Sequence, residues 1–314
     1  MTTEDGRAKA HGGKYSEEHP NEALSDEMTA QEIDDLVLYE KVDRHIAVIT
    51  LNRPEKANAF LAPYGFTELA RKFKRAENDD EIKVIVLTGA GGNFCSGVDL
   101  RRTPVEAAGM RPGKRTPQSM RMRMESYEAP EVWTCDKTVI AAVDGACVAA
   151  GFHFMMGSDM VIAAEDARFG EPETRIGFAG FAMGWHLLVT KIGANKAREL
   201  VLFGELKSAQ QMYDWGVVNK IVPKGEVKDE AMRWAKAVAW HSTDNLMLGK
   251  RSMQFYYQLL GFDAYEKWVS VAHPMFTNVV WREDEFNFMR ERNKLGMKGA
   301  LNEMKKQWND MGFS

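Results

Sequence analysis

Residues 138–151 read TVIAAVDGACVAAG, an apolar run that ends in a turn of small residues. The run from Thr138 to Val143 has the length and composition of a buried strand, and Gly145 opens the small-residue segment. Another strand-like run follows at Met160 to Ala163. A strand, a glycine turn, a helix and a further strand in this order are typical of α/β proteins, and we predict that fold class.

A second segment of the same kind lies upstream, where NFCSGVDL at residues 93–100 follows the apolar run from Ile82 to Leu87. Each segment places small residues where a strand ends, so the backbone can turn sharply and expose N–H groups that no strand ladder uses. Two such groups that converge on one point form an oxyanion hole, and the N–H of Ala150 would lie at the positive end of a helix if that residue begins one. A tight loop explains either segment alone, whereas the two together favour a site that stabilises an anion.

The chain before these segments predicts a hairpin and a helix. Apolar residues alternate from Val37 to Val42 and from His45 to Leu51, and helical spacing is clear from Tyr64 to Ala76. Residues 1–33 contain few large apolar side chains, so they cannot offset the entropy cost of ordering, and we expect a flexible N-terminal arm.

The chain beyond Gly204 is mostly helical, and Val217 to Val222 is the one further strand that the pattern predicts. Helical periodicity covers Glu230 to His241, Leu246 to Leu260, Tyr265 to Ala272, Glu283 to Arg292 and Gly296 to Trp308. We therefore divide the chain into an arm at residues 1–33, a core with the active site at residues 34–204 and a helical region at residues 205–314. The apolar stripes of that region are typical of packing on a core or on a neighbouring subunit.

Composition and charge restrict the class of function. A net charge of −4 argues against nucleic acid as the main partner, because phosphate backbones require a concentrated positive surface. Three cysteines in no paired or metal-ligand spacing indicate a reducing compartment, and we expect the cytoplasm. No apolar run is long enough to cross a bilayer and no signal-peptide pattern occurs, so we expect no membrane contact. Neither a metal-ligand cluster nor a glycine-rich nucleotide motif is present, and we expect no metal and no permanently bound cofactor.

Several motifs follow one another along the chain. The series is ITLNRPEKANA at residues 49–59, FCSGVDL at residues 94–100, VIAAVDG at residues 139–145, FGEPE at residues 169–173, Gly177, Gly193 to Ala197, and Gly216 to Val218. This series resembles the crotonase (enoyl-CoA hydratase/isomerase) superfamily over roughly residues 36–295. Several motifs in order are far more specific than any one of them.

The resemblance implies a core of ββα units wound in a spiral, a C-terminal helical region that serves trimerisation and pocket closure, and assembly as a homotrimer or as a hexamer of paired trimers. It also implies an acyl-CoA substrate, with coenzyme A as part of that substrate, whose thioester oxygen binds the backbone N–H groups of Val98 and Ala150. Lys56 and Ala57 fall in the segment that lies along the coenzyme A phosphates in the family, and Arg292 resembles the basic residue that reaches a neighbour's coenzyme. Solvated surface charge is the alternative explanation for both Lys56 and Arg292, and it is the preferred one for Arg292.

The catalytic pair is a departure from the family pattern. Hydratases of the family use two glutamates, of which Glu173 matches the second, whereas His153 stands at the position of the first. Imidazole has an ordinary pKa of about 6.5, so it can give or take a proton near neutral pH. A His153–Glu173 pair could hold a water, protonate a carbanion or activate a water towards a carbonyl. The structural alternatives are a core histidine bonded to a backbone carbonyl and a surface carboxylate.

The acyl pocket is a second departure. Phe178, Phe181 and Trp185 stand where many relatives carry a proline and small residues, and they would favour a compact or flat acyl group, including a cyclic one, over a long straight chain. Core packing would explain the same three residues. The basic stretch from Arg101 to Met124 is either a cover over the pocket mouth or a solvated loop.

Four functions fit these residues. The leading hypothesis is an enoyl-CoA hydratase, a lyase that adds or removes water at an α,β-unsaturated acyl-CoA through an enolate. Hydrolysis of a C–C bond in a cyclic β-diketone or β-keto thioester, with His153 as base, is an alternative, and so is double-bond isomerisation. From a different class, the chain could be a non-catalytic acyl-CoA-binding or assembly subunit.

Overall fold

The structure, a computed structural model, describes residues 29–61, 64–100, 132–177, 185–272 and 281–313. Residues 1–28 of the predicted arm lie outside these ranges. The basic stretch from Arg101 to Met124, Phe178 and Phe181 lie outside them as well.

Nine strands form two sheets within the described ranges. They are β1 (Val37–Asp43), β2 (Ile46–Leu51), β3 (Val84–Gly89), β4 (Thr138–Val143), β5 (Ala146–Val148), β6 (Met160–Ala164), β7 (Arg168–Gly170), β8 (Lys207–Ser208) and β9 (Lys220–Val222). The larger sheet has the order β1-β2-β3-β4-β6-β9, in which β1 and β2 form the predicted antiparallel hairpin and the later pairs are parallel. Every residue of β4 is buried, as expected for a parallel strand that is covered on both faces.

The smaller sheet joins β5, β7 and β8, with β5 parallel to β7 and β8 antiparallel to it. Its first strand begins only three residues after β4 ends, so the turn at Asp144 and Gly145 connects the two sheets. Because β3 and β4 are parallel neighbours, their carboxyl ends meet at one edge of the larger sheet, and the smaller sheet lies at that edge.

Ten α-helices lie within the described ranges. They are α1 (Ala30–Asp34), α2 (Tyr64–Glu77), α3 (Ala150–Met156), α4 (Trp185–Ile192), α5 (Ala194–Arg198), α6 (Ala209–Asp214), α7 (Val227–Ala239), α8 (Thr243–Leu259), α9 (Phe262–Ala272) and α10 (Phe288–Asp310). In α2 the apolar residues that predicted the helix, among them Phe66, Leu69 and Phe73, are buried against the core. The predicted α/β fold with a helical C-terminal region is confirmed.

Helix α1 begins inside the predicted arm. Thr29 caps it, since its side chain accepts from the Glu32 N–H while the Glu32 carboxylate accepts from the Thr29 N–H at 2.8 Å. Asp34 then forms an ion pair with Lys72 on α2. The boundary expected after residue 33 therefore falls within a helix, because a capping box can begin a helix without a long apolar run.

Two predicted boundaries in the second half of the chain also shift. The boundary after Gly204 separates β8 from its partner β7, so the first residues of the predicted helical region complete the smaller sheet. The helix expected from Glu283 begins only at Phe288, because Asn287 caps it by accepting from the Arg290 N–H at 2.9 Å.

Candidate active site

Two loops meet at the carboxyl ends of β3 and β4. The N–H of Phe94 donates to the Asp144 carbonyl at 2.7 Å. The N–H of Cys95 donates to the Ala146 carbonyl at 2.8 Å, and the Cys95 carbonyl accepts from the Val148 N–H at 2.9 Å. These bonds continue the parallel pairing past the ends of the strands, so the two glycine turns that the sequence indicates lie side by side.

Both turns use backbone conformations that L-residues rarely adopt. Gly97 has a φ of 96° and Ala149 has a φ of 52°. A Cβ atom on Gly97 would lie 2.9 Å from the Cβ of Ala149, which is closer than two carbon atoms can pack. The first turn therefore requires glycine at position 97, because only a residue without a side chain lets the two turns touch.

The backbone N–H groups of Val98 and Ala150 donate to no backbone acceptor among the described residues. Phe60 donates to the Gly97 carbonyl at 2.7 Å and accepts from the Asp99 N–H at 2.9 Å. In a parallel pair this pattern leaves the N–H of the middle residue, Val98, directed away from Phe60. Ala150 is the first residue of α3, so its N–H has no acceptor within the helix. Two adjacent turns thus carry two unused donors.

His153 lies one helical turn after Ala150, on the same face of α3. Its Nε2 atom lies 2.5 Å from Oε1 of Glu171, whose side chain is only 1% exposed. Glu171 directly follows β7, and the Ala149 N–H donates to the Gly170 carbonyl at 2.9 Å, which places the end of β7 beside the second turn. The imidazole therefore meets a buried carboxyl group at the turn that carries the unused Ala150 donor.

Glu173 shares this buried site with Glu171. Residues Pro172–Ile176 form a short 3-10 helix that begins with proline and carries Glu173 in its first turn. Although Nε2 of His153 lies within ion-pair distance of Oε1 of Glu171, no group in the described part of the chain donates a hydrogen bond to either carboxyl oxygen of Glu171 or to Oε2 of Glu173. Two neighbouring carboxyl groups can form a hydrogen bond with each other only when one of them carries a proton.

The protonation of the two carboxyl groups follows from their burial. Burial raises the pKa of Glu171 to about 8. Burial, and then the negative charge of Glu171, raise the pKa of Glu173 well above its ordinary value, whereas the nearby His153 lowers it. The pair therefore retains at least one proton at neutral pH, and a carboxyl group that stays protonated there can act as a general acid.

The predicted segment with Lys56 and Ala57 packs against the first turn. Pro54–Lys56 form a 3-10 turn, and Ala57 follows with a φ of 49°. The N–H of Ser96 donates to the Ala57 carbonyl at 3.1 Å. Lys56 is exposed, so its ammonium group is available at the surface next to this turn.

The remaining predicted site residues are Arg292, Trp185, Phe178 and Phe181. The guanidinium of Arg292, on α10, donates to the carbonyl of Leu100 in the same chain, directly after the first turn, and burial lowers its pKa. Trp185 begins α4, is half-buried and packs against the main core. Phe178 and Phe181, the other predicted acyl-pocket residues, lie outside the described ranges.

Glu171 is a site residue that the sequence pattern left unassigned. A signal for it exists, because Glu171 and Glu173 flank a proline directly after a strand, and paired carboxyl groups are a recurring arrangement for acid–base chemistry. Which of the two meets His153 depends on the pairing of β7 with β5, which no local pattern shows.

Among the described residues, no helix combines the length and the apolar composition that crossing a bilayer requires. In the same ranges, no group of three or more histidine, cysteine or carboxylate side chains is arranged to hold a metal ion.

Known proteins resemble this chain in sequence and in structure. Residues 41–283 match the family described as Enoyl-CoA hydratase/isomerase. A mevalonyl-coenzyme A hydratase of Beauveria bassiana is 36% identical over 211 residues, which are 67% of this chain and 75% of the relative. A 1,2-epoxyphenylacetyl-CoA isomerase of Escherichia coli is 34% identical over 68% of this chain and 79% of its own length. The crystal structure of an enoyl-CoA hydratase/isomerase from Xanthobacter autotrophicus superposes with a TM-score of 0.74 at 29% identity, over 86% of this chain and 97% of that one.

Proposed function

The chain belongs to the enoyl-CoA hydratase/isomerase family, as its motifs indicate, and we propose that it is an acyl-CoA hydratase that adds water to, or removes it from, an α,β-unsaturated thioester. One observation carries the proposal. His153 and Glu173 supply two separate groups for proton transfer, and they lie in one buried cluster beside a turn with an unused backbone donor. Hydration needs two such groups, because one proton leaves water while another reaches carbon.

The oxyanion donors are proposed to be the N–H groups of Val98 and Ala150. The thioester oxygen gains negative charge as the enolate forms, and fixed donors that face it lower the barrier. The loss of one such donor costs a factor of about 10² to 10³ in kcat in enzymes that use them. Only main-chain atoms act here, so the valine and alanine side chains are compatible with the role.

The proton transfers follow from the protonation states of the site. His153 takes a proton from water as the water oxygen bonds to Cβ of the enoyl group, and the C=C electron pair moves to form the enolate. The protonated Glu173 carboxyl group then donates its proton to Cα, and the thioester carbonyl forms again. The products are a 3-hydroxyacyl thioester, an imidazolium and a carboxylate, and exchange with solvent returns both side chains to their starting states.

Coenzyme A is proposed to be held as part of the substrate. Lys56 is exposed on the turn before Ala57, and the Ala57 carbonyl accepts from the Ser96 N–H in the first loop. A phosphate bound to Lys56 would therefore lie close to the oxyanion donors. Arg292 contacts the Leu100 carbonyl at the end of the same loop, where a coenzyme contact would also keep that loop in place. Both roles are tested by coenzyme A affinity rather than by turnover.

Turnover on two substrates tests the proposed reaction. Purified protein is incubated with crotonyl-CoA and, separately, with a cyclic β-diketone, and products are identified by liquid chromatography and mass spectrometry. We expect 3-hydroxybutyryl-CoA from crotonyl-CoA, and we expect Glu173→Gln and His153→Ala each to lower kcat by a factor of about 10² to 10⁴. Glu199→Gln is the matched control, because the Glu199 side chain is half-exposed and pairs with Lys207.

Each other product would replace the proposal by a different function. Movement of the double bond without uptake of water would indicate an isomerase. Cleavage of the diketone would indicate a C–C bond hydrolase with His153 as base. Firm binding of coenzyme A thioesters without any turnover would indicate a binding or assembly subunit.

A further inference from the structure

We propose that Arg53 is a positioning residue, which aims the Val98 N–H at the thioester oxygen by clamping the end of the first turn through Asp99. The inference deepens the proposed function, and it rests on the oxyanion role that is proposed there for Val98. Arg53 belongs to a motif that indicates the family, but neither that resemblance nor the names of the relatives assign a role to its side chain.

The guanidinium of Arg53 joins the first turn to the segment that pairs with it. Its Nη2 lies 3.2 Å from Oδ2 of Asp99, and its Nη1 donates to the Ala59 carbonyl at 2.5 Å. The Arg53 side chain is 12% exposed and that of Asp99 is 5% exposed, so the ion pair is largely shielded from water. A planar guanidinium that uses both of its terminal nitrogens fixes the distance and the orientation between its two acceptors.

Val98 lies inside the region that this clamp holds. Val98 and Phe60 face each other in a single parallel bridge. Arg53 holds the next residue on each side, which is Ala59 before Phe60 and Asp99 after Val98. A bridge of two backbone hydrogen bonds can twist, whereas a charged contact across it restrains the peptide plane. The clamp therefore fixes the direction in which the Val98 N–H points.

The start of the first turn has a separate anchor, the buried side chain of Asn58. Its Nδ2 donates to the Ala90 carbonyl at 2.8 Å and to the Asn93 carbonyl at 2.6 Å, and its Oδ1 accepts from the Arg53 N–H at 2.8 Å. One short segment thus holds the turn at both ends. Of these two anchors, the guanidinium is the one that adjoins Val98, so its loss should move that N–H while the start of the turn stays in place.

Stability alone is a weak reason for this ion pair. A buried ion pair gains little stability over an apolar pair of the same volume, because both charges lose their hydration. The geometry that the Arg53–Asp99 pair imposes on the turn explains it better than a contribution to the free energy of folding.

Binding of an enolate and of a neutral thioester measures the aim of the donor without turnover. Acetoacetyl-CoA can bind as an enolate, whose oxygen carries the charge that the oxyanion donors face, and butyryl-CoA is a neutral thioester of the same chain length. Calorimetric titration gives the ratio of the two dissociation constants. We expect the wild type to prefer acetoacetyl-CoA. Arg53→Lys keeps the charge but loses the planar fork, and we expect it to reduce this preference about tenfold or more, with butyryl-CoA affinity changed less than about twofold.

Turnover gives a second readout of the same variant. We expect kcat for crotonyl-CoA hydration to fall by a factor of about 10 to 100 in Arg53→Lys, with KM changed less than about twofold, because the donor matters most once charge has developed on the oxygen. A merely structural ion pair would lower the melting temperature and leave the ratio of the two dissociation constants unchanged.

A double variant and a matched control complete the design. Arg53→Gln combined with Asp99→Asn removes both charges, so no unpaired charge remains buried and the protein is expected to fold. The fork is absent, and we expect the same loss of preference. The control combines Lys250→Gln with Asp159→Asn, which removes an ion pair of 2.7 Å with a largely buried lysine. Asp159 accepts from the Val139 N–H at the start of β4, at the opposite end of that strand from the two turns, so the control should keep the wild-type ratio.

These measurements separate the two proposals. A wild-type ratio in a folded Arg53→Lys or in the folded double variant would overturn the role of Arg53, as would a wild type that prefers neither ligand. Failure of both variants to fold would assign the ion pair to the fold as a whole and overturn the role as well. A protein that hydrates no thioester, but loses its preference for acetoacetyl-CoA in Arg53→Lys, would overturn the proposed function and support the positioning. Hydration of crotonyl-CoA with an unchanged ratio would support the proposed function and overturn the positioning.

Discussion

Gly151 approaches Cys95 so closely that a Cβ atom on the glycine would lie 2.6 Å from both the Cβ and the carbonyl oxygen of the cysteine. Gly151 is the second residue of α3, and Cys95 belongs to the loop that follows β3. The absence of one methyl group therefore allows the first turn to pack directly on the helix that carries Ala150 and His153.

Replacement of Gly151 by alanine is expected to destabilise the protein. The added methyl group must displace buried backbone, which costs about 1 to 3 kcal/mol in a packed core, and the melting temperature should fall accordingly. Gly249→Ala is the matched control, because a Cβ at Gly249 meets no atom within 4 Å in the middle of α8. Alanine there should stabilise by about 0.5 to 1 kcal/mol. Equal changes in the unfolding free energy of the two variants would contradict the close approach of Gly151 to Cys95.

The proposed oxyanion donor at Ala150 can be removed without removing a side chain. Proline has no N–H and is favoured at the first position of a helix, so Ala150→Pro should retain α3 and lower kcat by a factor of about 10² to 10³. Ala194→Pro is the control, since Ala194 holds the same first position in α5. Circular dichroism and thermal unfolding would verify the fold of both variants. A well-folded Ala150→Pro with wild-type kcat would show that this N–H does not bind the thioester oxygen.

Stability should depend on pH through the buried carboxyl groups. The pKa of Glu171 is raised to about 8 in the folded chain. In the unfolded chain a glutamate titrates near its ordinary value of about 4.3. A raised folded pKa contributes stability at low pH that is lost as pH rises through the folded pKa, so this group should lower the unfolding free energy as pH rises from about 4.3 to about 8, by at most about 1.4 kcal/mol per pH unit.

Denaturant unfolding of wild type and Glu171→Gln across that pH range would measure the effect. The variant cannot ionise at this position, so its unfolding free energy should fall less steeply with pH than that of wild type. Glu199→Gln, which removes a half-exposed carboxylate that pairs with the buried Lys207, should follow the wild-type slope. Identical slopes for wild type and Glu171→Gln would contradict a raised pKa at Glu171.

Self-association is expected through the helical region. Large apolar side chains on α8 and α9 are exposed, including Phe255 at 59%, Leu259 at 70% and Trp268 at 56%. Because the family resemblance implies trimers or paired trimers, we predict that a second copy of the chain covers this surface. Analytical ultracentrifugation should give three or six times the chain mass, and Leu259→Glu should shift it towards one. Leu38→Glu, at an exposed leucine on the edge strand β1, is the control, and a wild-type mass of one chain would rule the prediction out.

The strands of the larger sheet and the two turns could be predicted because each is encoded by neighbouring residues, whereas the short strands of the smaller sheet were not predicted. The apolar run of β4 matched its predicted bounds, since a strand buried on both faces needs an uninterrupted series of apolar side chains. The glycine turns were recognisable because small residues must follow a strand that ends at a close backbone contact. The start of α10 was misplaced because the capping by Asn287 outweighs the apolar periodicity that begins at Glu283.

The amino-acid order alone thus determined the family, the α/β class, the two turns and the candidacy of His153 and Glu173. The tertiary structure decided that Glu171 meets the imidazole and that the first turn rests on Gly151. It also placed Arg292 on the Leu100 carbonyl of its own chain. Secondary structure depends on hydrogen bonds and on side-chain periodicity among residues that are near one another in the chain. The periodicity is visible in the sequence itself. A contact between a helix and the end of a distant strand depends on how the sheets pair, and only the folded chain brings those atoms together.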